Sequence, residues 1–194
     1  MTNPEKILDN EWNELLKGTK TGQHPFHTFS LSTISNNIPN ARTIVLRQVS
    51  KKNREISFHT DNRSSKYNEI LSNKNVCSLF YDKKRKIQIR ISGTAYIDHN
   101  TSLSLKSWKK MTNESKICYM GPYSPSTMLK EFKPNLPTIL PHQITQKDEN
   151  LGYKNFCLVN ITIARIDWLS LDHKGHKRIL FYLGSSLKTN WIAS

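Results

Sequence analysis

The stretch VCSLFYDKKRKIQIRISGTAYI, residues 76–97, decides the fold. In its second half Ile87, Ile89 and Ile91 alternate with polar residues, so that the isoleucines would share one face of a strand. A short basic turn, residues 82–85, separates this long strand from the apolar strand before it. Because strands joined by so short a turn pair antiparallel, the stretch predicts an antiparallel barrel or sandwich.

The chain on either side of this hairpin adds further strands and a few helices. Alternating or β-branched runs predict strands at 29–34, 42–49, 55–60, 156–166 and 178–183. Helices are expected at about 3–17, 65–71 and 101–111. In the first helix Asn3 is the expected cap, and the residues expected on one face are Ile7, Leu8, Trp12, Leu15 and Leu16. The predicted fold class is therefore mostly β with flanking helices.

Residues 120–155 interrupt this pattern. They hold five of the eight prolines of the chain and carry no hydrophobic period. A segment this long without regular structure is usually a functional loop, so we expect it to lie near the mouth of an active site. The length of the chain, residues 1–194, matches one domain of ordinary size, and we expect a single domain.

The composition points to an anionic partner. Lys and Arg total 29 against 15 for Asp and Glu, which gives a net charge of +14. Such an excess favours nucleic acid, anionic lipid or a phosphorylated ligand. No apolar stretch approaches the roughly 20 residues of a membrane helix, and the first residues lack a signal-peptide pattern. The three widely spaced cysteines predict neither a disulfide framework nor a zinc site, so we expect no metal and a cytoplasmic protein.

Three places in the sequence bring cations to a strand end or a helix start. They are the strand from Arg42 to Arg47, the segment 58–66 that leads into the second helix, and the segment 168–178. Backbone N–H groups at a helix N-terminus, together with hydroxyl groups and a lysine, suit a phosphate dianion. Taken singly, each place is also compatible with a solvated strand edge, an ordinary helix cap or a polar hairpin turn.

Two other kinds of site have less support. The turns at residues 51–52 and 83–86 could contact nucleic-acid phosphates, but no zinc-finger spacing, basic-zipper region or RNA-binding strand motif accompanies them. The pairs His24/His27 and His173/His176 have a spacing that would suit a metal on a helix, yet both lie in segments that predict loop or strand. We therefore expect neither nucleic acid nor metal as a ligand.

Several short motifs occur in a characteristic order. They are ARTIVLR at 41–47, ISFHT at 56–60, SSK at 64–66, VCSLFY at 76–81, IQIRISG at 87–93, IDW at 166–168 and HKR at 176–178. In this order they resemble the pyridoxamine 5'-phosphate oxidase-like family, whose members bind FMN in an antiparallel split β-barrel. The tetrapeptide Trp168-Leu169-Ser170-Leu171, taken as a turn, is similar to a less characterised FMN-binding branch of that family rather than to the biosynthetic oxidase.

The resemblance implies a concrete cofactor site. Arg42 and Lys66 would bind the FMN phosphate, helped by Ser64 or Ser65 and by the Thr60 hydroxyl. The backbone of Thr43, Ile44 and Val45 would run along the flavin, and Arg47 would reach its ring edge. Gln88 of the partner subunit in a homodimer would contact the pyrimidine side of the ring, and Trp168 and Arg178 would close the pocket near the dimer interface.

Departures from the family pattern limit what the resemblance implies about the substrate. A serine, Ser65, stands where the family's phosphate triplet has an arginine, and His59 replaces a tyrosine of the cofactor site. The family's C-terminal Arg-x-His-x-Arg is represented by Lys174, His176 and Arg178, of which Lys174 and His176 are the substrate candidates. The substrate-phosphate residues of the biosynthetic oxidase find no match within residues 108–119.

The function expected from the resemblance is an FMN-dependent oxidoreductase that acts on an unidentified small molecule. The alternatives are a true pyridoxamine or pyridoxine 5'-phosphate oxidase of vitamin B6 metabolism and, from another class, a non-catalytic protein. The second could carry flavin or haem, or could associate with nucleic acid.

Overall fold

The computed structural model describes residues 3–194 and shows mostly antiparallel β structure with flanking helices, as predicted. The strands are β1 Thr28–Ser35, β2 Ile38–Val45, β3 Gln48–Ser50, β4 Glu55–Asp61, β5 Asn75–Asp82, β6 Ile87–Asp98, β7 Phe156–Ser170, β8 Lys177–Leu183 and β9 Leu187–Ile192. The helices are α1 Pro4–Gly18, α2 Ser65–Ser72, α3 Ser102–Lys109, α4 Asn113–Lys116 and α5 Gln146–Asn155. Short 3₁₀ turns cover Pro25–His27, Ile117–Tyr119 and Pro141–Gln143.

The strands form one sheet that curls into a split barrel. Their order is β2-β1-β5-β6-β7-β4-β3, and β8 and β9 extend the sheet from β7. Every pairing is antiparallel, and β6 pairs with β7 along its whole length apart from a bulge at Ser92 and Gly93. The chain passes from β2, at one end of this order, to β3, at the other end, and there Arg47 N donates to Ser57 O of β4 at 2.9 Å. This contact places the start of β3 against β4, so the loop after β2 lies close to the middle of β4.

The inner face of the barrel holds the main hydrophobic core. Alternate residues of each strand point inward, among them Ile87, Ile89 and Ile91 of β6, as the alternation predicts. Five phenylalanines are completely or almost completely buried there: Phe26, Phe29, Phe58, Phe80 and Phe181. Helix α1 closes one end of this core with Leu8, Trp12 and Leu15, while Leu16, which was expected on the same face, is 37% exposed.

A second layer of helices covers the outer face of β4 and β7. Trp108 of α3 packs with Ile117, Met120, Phe156 and Leu158 in a cluster separate from the main core. The buried Lys116 ammonium pairs with Glu149 at 2.8 Å and lies over the Trp108 ring, which ties α4 to α5. The helices therefore cover the outer face at this end of the barrel, and residues such as His59 lie beneath them.

The boundaries of the second predicted strand were wrong. The Asn36-Asn37 turn has positive φ values of 49° and 63°, and β2 begins directly after it at Ile38 rather than at residue 42. Pro39 fits inside β2 because that strand is the sheet edge, where a missing N–H leaves no partner unsatisfied. The predicted strand 42–49 divides into β2 and β3, since the chain crosses at Leu46 and Arg47 from β1 to β4.

Residues 120–155 contain more structure than predicted. Helix α5 occupies the last third of this segment, begins with a capping box between Thr145 and Asp148, and buries Gly152 against Trp108. Residues 121–140 have no helix or strand. Two expectations about the C-terminal region also change: Trp168 to Ser170 belong to β7 rather than to a turn, and β9 follows the strand expected to be the last.

Two further observations concern the membrane-spanning proteins and the metal sites that were considered from the sequence. No helix within residues 3–194 has the length and apolar character needed to cross a membrane. In the same part of the chain no group of three or more His, Cys, Asp or Glu side chains is arranged to hold a metal ion. Cys77, Cys118 and Cys157 are all free thiols.

Candidate functional site

The N-terminus of α2 has no side-chain cap. Ser64 occupies the cap position, but its Oγ donates to Asp61 O at 2.7 Å and lies 3.2 Å from Thr60 Oγ1. Ser64 and Thr60 are buried, so these two hydroxyl groups stabilise the loop that enters the helix. The first N–H groups of a helix lack partners within it, and here no side chain of the described residues replaces them. They are available to an anion, next to the exposed Ser65.

Lys66 provides a cation at the same helix end. Its side chain is half-buried, and neither an ion pair nor a hydrogen bond to another residue in the range 3–194 engages its ammonium group. Burial and then the positive charge of Arg42 lower the pKa of Lys66, while Asp61 and Glu69 act in the opposite direction. An ammonium group beside another cation and without a counter-ion is stabilised when an anion binds next to it.

Arg42, predicted to contact the phosphate directly, is engaged inside the protein. Its Nη2 donates to Glu69 Oε2 at 2.7 Å, and its Nη1 contacts the Thr33 hydroxyl and the Asn40 carbonyl oxygen. Glu69 is 8% exposed and also accepts from the Thr33 hydroxyl at 2.5 Å. The structure thus gives Arg42 an internal acceptor, and what Arg42 adds at Lys66 is its charge.

Arg63 does not replace the arginine missing from the phosphate triplet. Its Nε and Nη2 donate to the Asp61 carboxylate at 3.0 and 2.7 Å, and its Nη1 donates to Gly121 O at 3.0 Å. The fork of its guanidinium is therefore occupied within the protein. Its effect is to fasten the loop before α2 to the start of the proline-rich segment.

A cleft of about 470 Å³ lies between β4 and the helical layer. Its lining includes Arg47, Gln48, His59, Ser107 and Lys110, so two cations face it, and both are exposed. His59 Nε2 lies 2.8 Å from Ser107 Oγ, whereas His59 Nδ1 is buried without a hydrogen-bond partner. The cleft therefore combines positive charge with one polar ring atom that has no partner within the described residues.

His59 is a neutral imidazole. Burial and then the positive charge of Arg47 lower the pKa of His59 from its ordinary value of 6.5 to about 3. At neutral pH the ring thus has one donating and one accepting nitrogen rather than a charge. Nearby, burial raises the pKa of the Tyr119 hydroxyl well above its usual value, so this phenol is also neutral.

The depressed pKa of His59 predicts a pH dependence of stability. Below pH 6.5 the His59 imidazole is protonated in the unfolded chain but stays neutral in the folded chain. The free energy of unfolding therefore falls as the pH decreases from 6.5 towards 3. The slope from this one group is up to about 1.4 kcal/mol per pH unit. We expect His59→Gln to remove this contribution in urea unfolding at several pH values. His142→Gln, at an exposed histidine, is the control; equal pH profiles for both variants would contradict the prediction.

Gln88, predicted to contact the ring, and Trp168 and Arg178, predicted to close the pocket, do not all lie on one face of the sheet. Gln88 and Arg178 both pair with Leu169 and share the outer face of the sheet. Trp168 pairs with Ile89 and Ile179, is 7% exposed, and points to the inner face, where its Nε1 donates to Glu11 Oε1 at 3.2 Å. Within one subunit Trp168 and Arg178 therefore face opposite sides of the sheet, because Arg178 pairs with Leu169, the neighbour of Trp168 on β7.

The candidates for substrate binding, Lys174 and His176, are exposed in the hairpin between β7 and β8. Here His176 Nδ1 accepts from the backbone N–H of Asp172 at 3.1 Å.

Three residues that hold the candidate side chains in place were not predicted from the sequence: Glu69, Ser107 and Asp167. Glu69 lies three positions after Lys66 and faces the same way on α2, a spacing that could have identified it. Asp167 lies between Ile166 and Trp168 of the recognised motif, as the one acid beside two buried apolar residues. Ser107 carries no signal in the sequence, because its contact with His59 depends on how α3 docks.

Comparison with known proteins shows which family the chain is similar to. Residues 9–99 match the family model described as "Pyridoxamine 5'-phosphate oxidase, FMN-binding domain". This segment, just under half of the chain, is similar to the FMN-binding domain of that family. The match includes β1 to β6 and α2, and therefore the uncapped helix end and Lys66. The resemblance noted from the sequence is confirmed, and FMN is the cofactor of the matched family.

A curated relative supports the same assignment. The chain is 36% identical over 97 residues to a pyridoxine/pyridoxamine 5'-phosphate oxidase of Psychrobacter cryohalolentis. The alignment covers 49% of this chain and 43% of the relative, so the chain matches less than half of that protein. The activity and substrate of the whole relative are therefore not established for this chain.

Solved structures show that the fold extends over the whole chain. A pyridoxamine 5'-phosphate oxidase-related, FMN-binding protein of Nostoc punctiforme matches with a TM-score of 0.74 at 19% identity, covering 100% of both chains. PhzG of Burkholderia lata, in complex with tetrahydrophenazine-1-carboxylic acid, matches with a TM-score of 0.68 at 15% identity, covering 100% of this chain and 98% of that chain. At these identities the likeness shows the split-barrel fold alone.

Proposed function

We propose that this chain is a homodimeric flavoprotein that holds FMN by its phosphate at the N-terminus of α2. The observation that carries the proposal is the uncapped end of α2 next to the unpaired ammonium of Lys66. Free N–H groups, the exposed Ser65 and a cation form a donor set that matches a phosphate dianion. The buried, unpartnered Nδ1 of His59 is a further polar atom that a bound cofactor could satisfy.

The edge position of β2 supports the proposed placement of the ring. Thr43, Ile44 and Val45 pair on one side with β1, and the sheet path ends at β2. The other edge of this backbone is available for the polar atoms of a flat ring. Arg47 and His59 line the cleft between β4 and the helical layer. In this arrangement the ring extends from the N-terminus of α2 towards that cleft.

In the proposed arrangement the two groups of predicted ring contacts come from two copies of the chain. His59 pairs with Leu158 and Gln88 pairs with Leu169, at opposite ends of β7. These β7 positions are roughly 35 Å apart along an extended strand, more than the length of an FMN molecule. If both groups contact one cofactor, Gln88 and Arg178 come from the second subunit, and a symmetric dimer carries two such sites.

When bound, FMN supplies electron and hydride transfer, and the chain supplies binding, orientation and charge. We propose that the enzyme is an oxidoreductase acting on a small molecule in the cleft between β4 and the helical layer. In this proposal the exposed cations Arg47 and Lys110 attract the substrate. Lys174 and His176 of the exposed hairpin are proposed as additional substrate contacts.

We extend the proposal to the whole chain as one FMN-binding domain that works in the cytoplasm. Its three cysteines are free, which agrees with a reducing compartment. The first test is the uptake of FMN by the purified protein, followed by the visible absorbance and fluorescence of the flavin. We expect stoichiometric uptake; a protein that stays colourless after incubation with FMN contradicts the proposal.

A mixed-dimer experiment tests the shared site. Lys66→Met and Arg178→Gln each damage both sites of a homodimer. After unfolding and refolding the two variants together, a heterodimer has one site with both changes and one with neither. We expect FMN binding of wild-type strength to return at about a quarter of all sites. Recovery is not expected if each subunit builds its site alone, and its absence would contradict the shared arrangement.

A further inference from the structure

One buried carboxylate on the outer face of the sheet holds two arginines. Asp167 of β7 is 3% exposed; its Oδ1 accepts from Arg178 Nε at 2.9 Å and its Oδ2 from Arg178 Nη2 at 2.7 Å. Arg90 of β6 donates to the same Oδ2. The three residues come from neighbouring strands, so the carboxylate joins β6, β7 and β8 on one face.

This triad lies beside the residues that the proposed function places against the flavin. Arg90 pairs directly with Asp167, and two positions away Gln88 pairs with Leu169, which in turn pairs with Arg178. Gln88 and Arg178 thus flank Leu169, with Asp167 next to them on the same face. A ring lying on this face would contact Gln88 and Arg178, while Asp167 would stay beneath the guanidinium group.

The contacts hold the guanidinium of Arg178 in one orientation and keep the Asp167 carboxylate ionised. Its Nε and Nη2 are bound to Asp167, and Nη1 has no acceptor among residues 3–194. A bidentate pair holds a guanidinium in one plane, so the direction of Nη1 is set by Asp167. The hydrogen bond from Arg178 and the charge of Arg90 lower the pKa of Asp167, which keeps it ionised at neutral pH. The triad carries a net charge of one cation.

We propose that Asp167 is a positioning residue for the flavin site, which aims Nη1 of Arg178 at the pyrimidine edge of FMN. The inference rests on the proposed function. Reduced flavin carries more negative charge near N1 and the C2 carbonyl than oxidised flavin, so a donor held at this edge binds the reduced form better. Through Arg178, Asp167 therefore raises the preference of the protein for reduced FMN.

The test compares the affinities of the apoprotein for oxidised and reduced FMN under anaerobic conditions. We expect Asp167→Asn and Arg178→Gln each to lower the ratio of reduced to oxidised affinity by about tenfold, which is roughly 30 mV for a two-electron couple. In Asp167→Asn the loss of a fixed Nη1 donor at the ring edge outweighs the positive charge that the substitution adds to the triad. Because one residue acts through the other, the double variant should lower the ratio no further than either single variant. Asp167→Glu, which keeps the carboxylate, should restore part of the ratio.

The control is Asp9→Asn, which removes an exposed carboxylate of α1 and should leave the ratio unchanged. If Asp167→Asn keeps the wild-type ratio, Asp167 has only a structural role. The same follows if the effects of the two substitutions on the ratio are additive in the double variant. If Asp167→Asn does not fold, Arg178→Lys decides, because it keeps the charge and loses the planar fork that Asp167 holds. A wild-type ratio in that variant overturns the proposal. Failure of the wild-type protein to bind FMN overturns the proposed function together with this inference, and is a distinguishable result.

Discussion

Lys66→Met should weaken FMN binding by roughly 10- to 100-fold, the value of a charge-assisted hydrogen bond of about 1.5–3 kcal/mol. The lysine has no partner among the described residues, so its loss should leave the free energy of unfolding almost unchanged. Riboflavin lacks the phosphate, and its affinity should therefore be the same in wild type and variant. The measurement is a fluorescence titration of the apoprotein with each flavin.

Lys83→Met is the matched control for this variant. Lys83 is an exposed residue in the turn between β5 and β6 and lies outside the proposed site. The control variant has the same change in charge and side-chain type, and its FMN affinity should equal that of wild type. Equal loss of FMN affinity in both variants would mean that Lys66 acts only through the net charge of the protein, contrary to the proposed phosphate contact.

Arg42→Met should lower the free energy of unfolding by about 3–5 kcal/mol, because it leaves a buried carboxylate without its counter-ion. Glu69 is 8% exposed and would keep only the contacts with Thr33 and Asn40. The double variant Arg42→Met/Glu69→Leu should recover much of the loss, since it removes both charges. Urea unfolding of the apoprotein measures both effects.

The matched control breaks an ion pair on the surface. Lys51 pairs with Asp9 at 2.7 Å, but both side chains are more than half exposed. Lys51→Met should therefore cost less than about 1 kcal/mol. If Arg42→Met costs no more than Lys51→Met, the Arg42–Glu69 pair is not a structural element, and direct contact of Arg42 with a phosphate regains support.

Most of the sheet could be predicted from the sequence because its strands bury one face. In β1 and β6 apolar and polar residues alternate, and this alternation gives both the strand and its orientation. Strand β9 was missed because it is an exposed edge strand whose sequence LKTNWI has no buried face. Helix α5 was missed because it is polar almost throughout, although its capping box at Thr145 was a readable signal.

The candidate site was predictable only in part. The motif around Lys66 gives the helix end and its cation, since both are local in the sequence. The sequence could not show that Arg42 is paired, because its partner Glu69 lies 27 residues away. Nor could it show that Trp168 and Arg178 face opposite sides, because this depends on the register between β7 and β8.

The positive charge has several structural uses besides any ligand. Five arginines, Arg42, Arg63, Arg85, Arg90 and Arg178, form ion pairs with carboxylates that are 8% exposed or less. Lysines at the hairpin tips, such as Lys83 and Lys84, are exposed and keep the charge high. We assign only a small part of the +14 charge to the cofactor phosphate.

The central claim is that the uncapped end of α2 with Lys66 holds the phosphate of FMN. It is tested most directly by titrating the wild-type apoprotein with FMN and with riboflavin under the same conditions. We expect FMN to bind at least about tenfold more tightly, because riboflavin makes no phosphate contact. Equal affinities for the two flavins, or binding of neither, would contradict it.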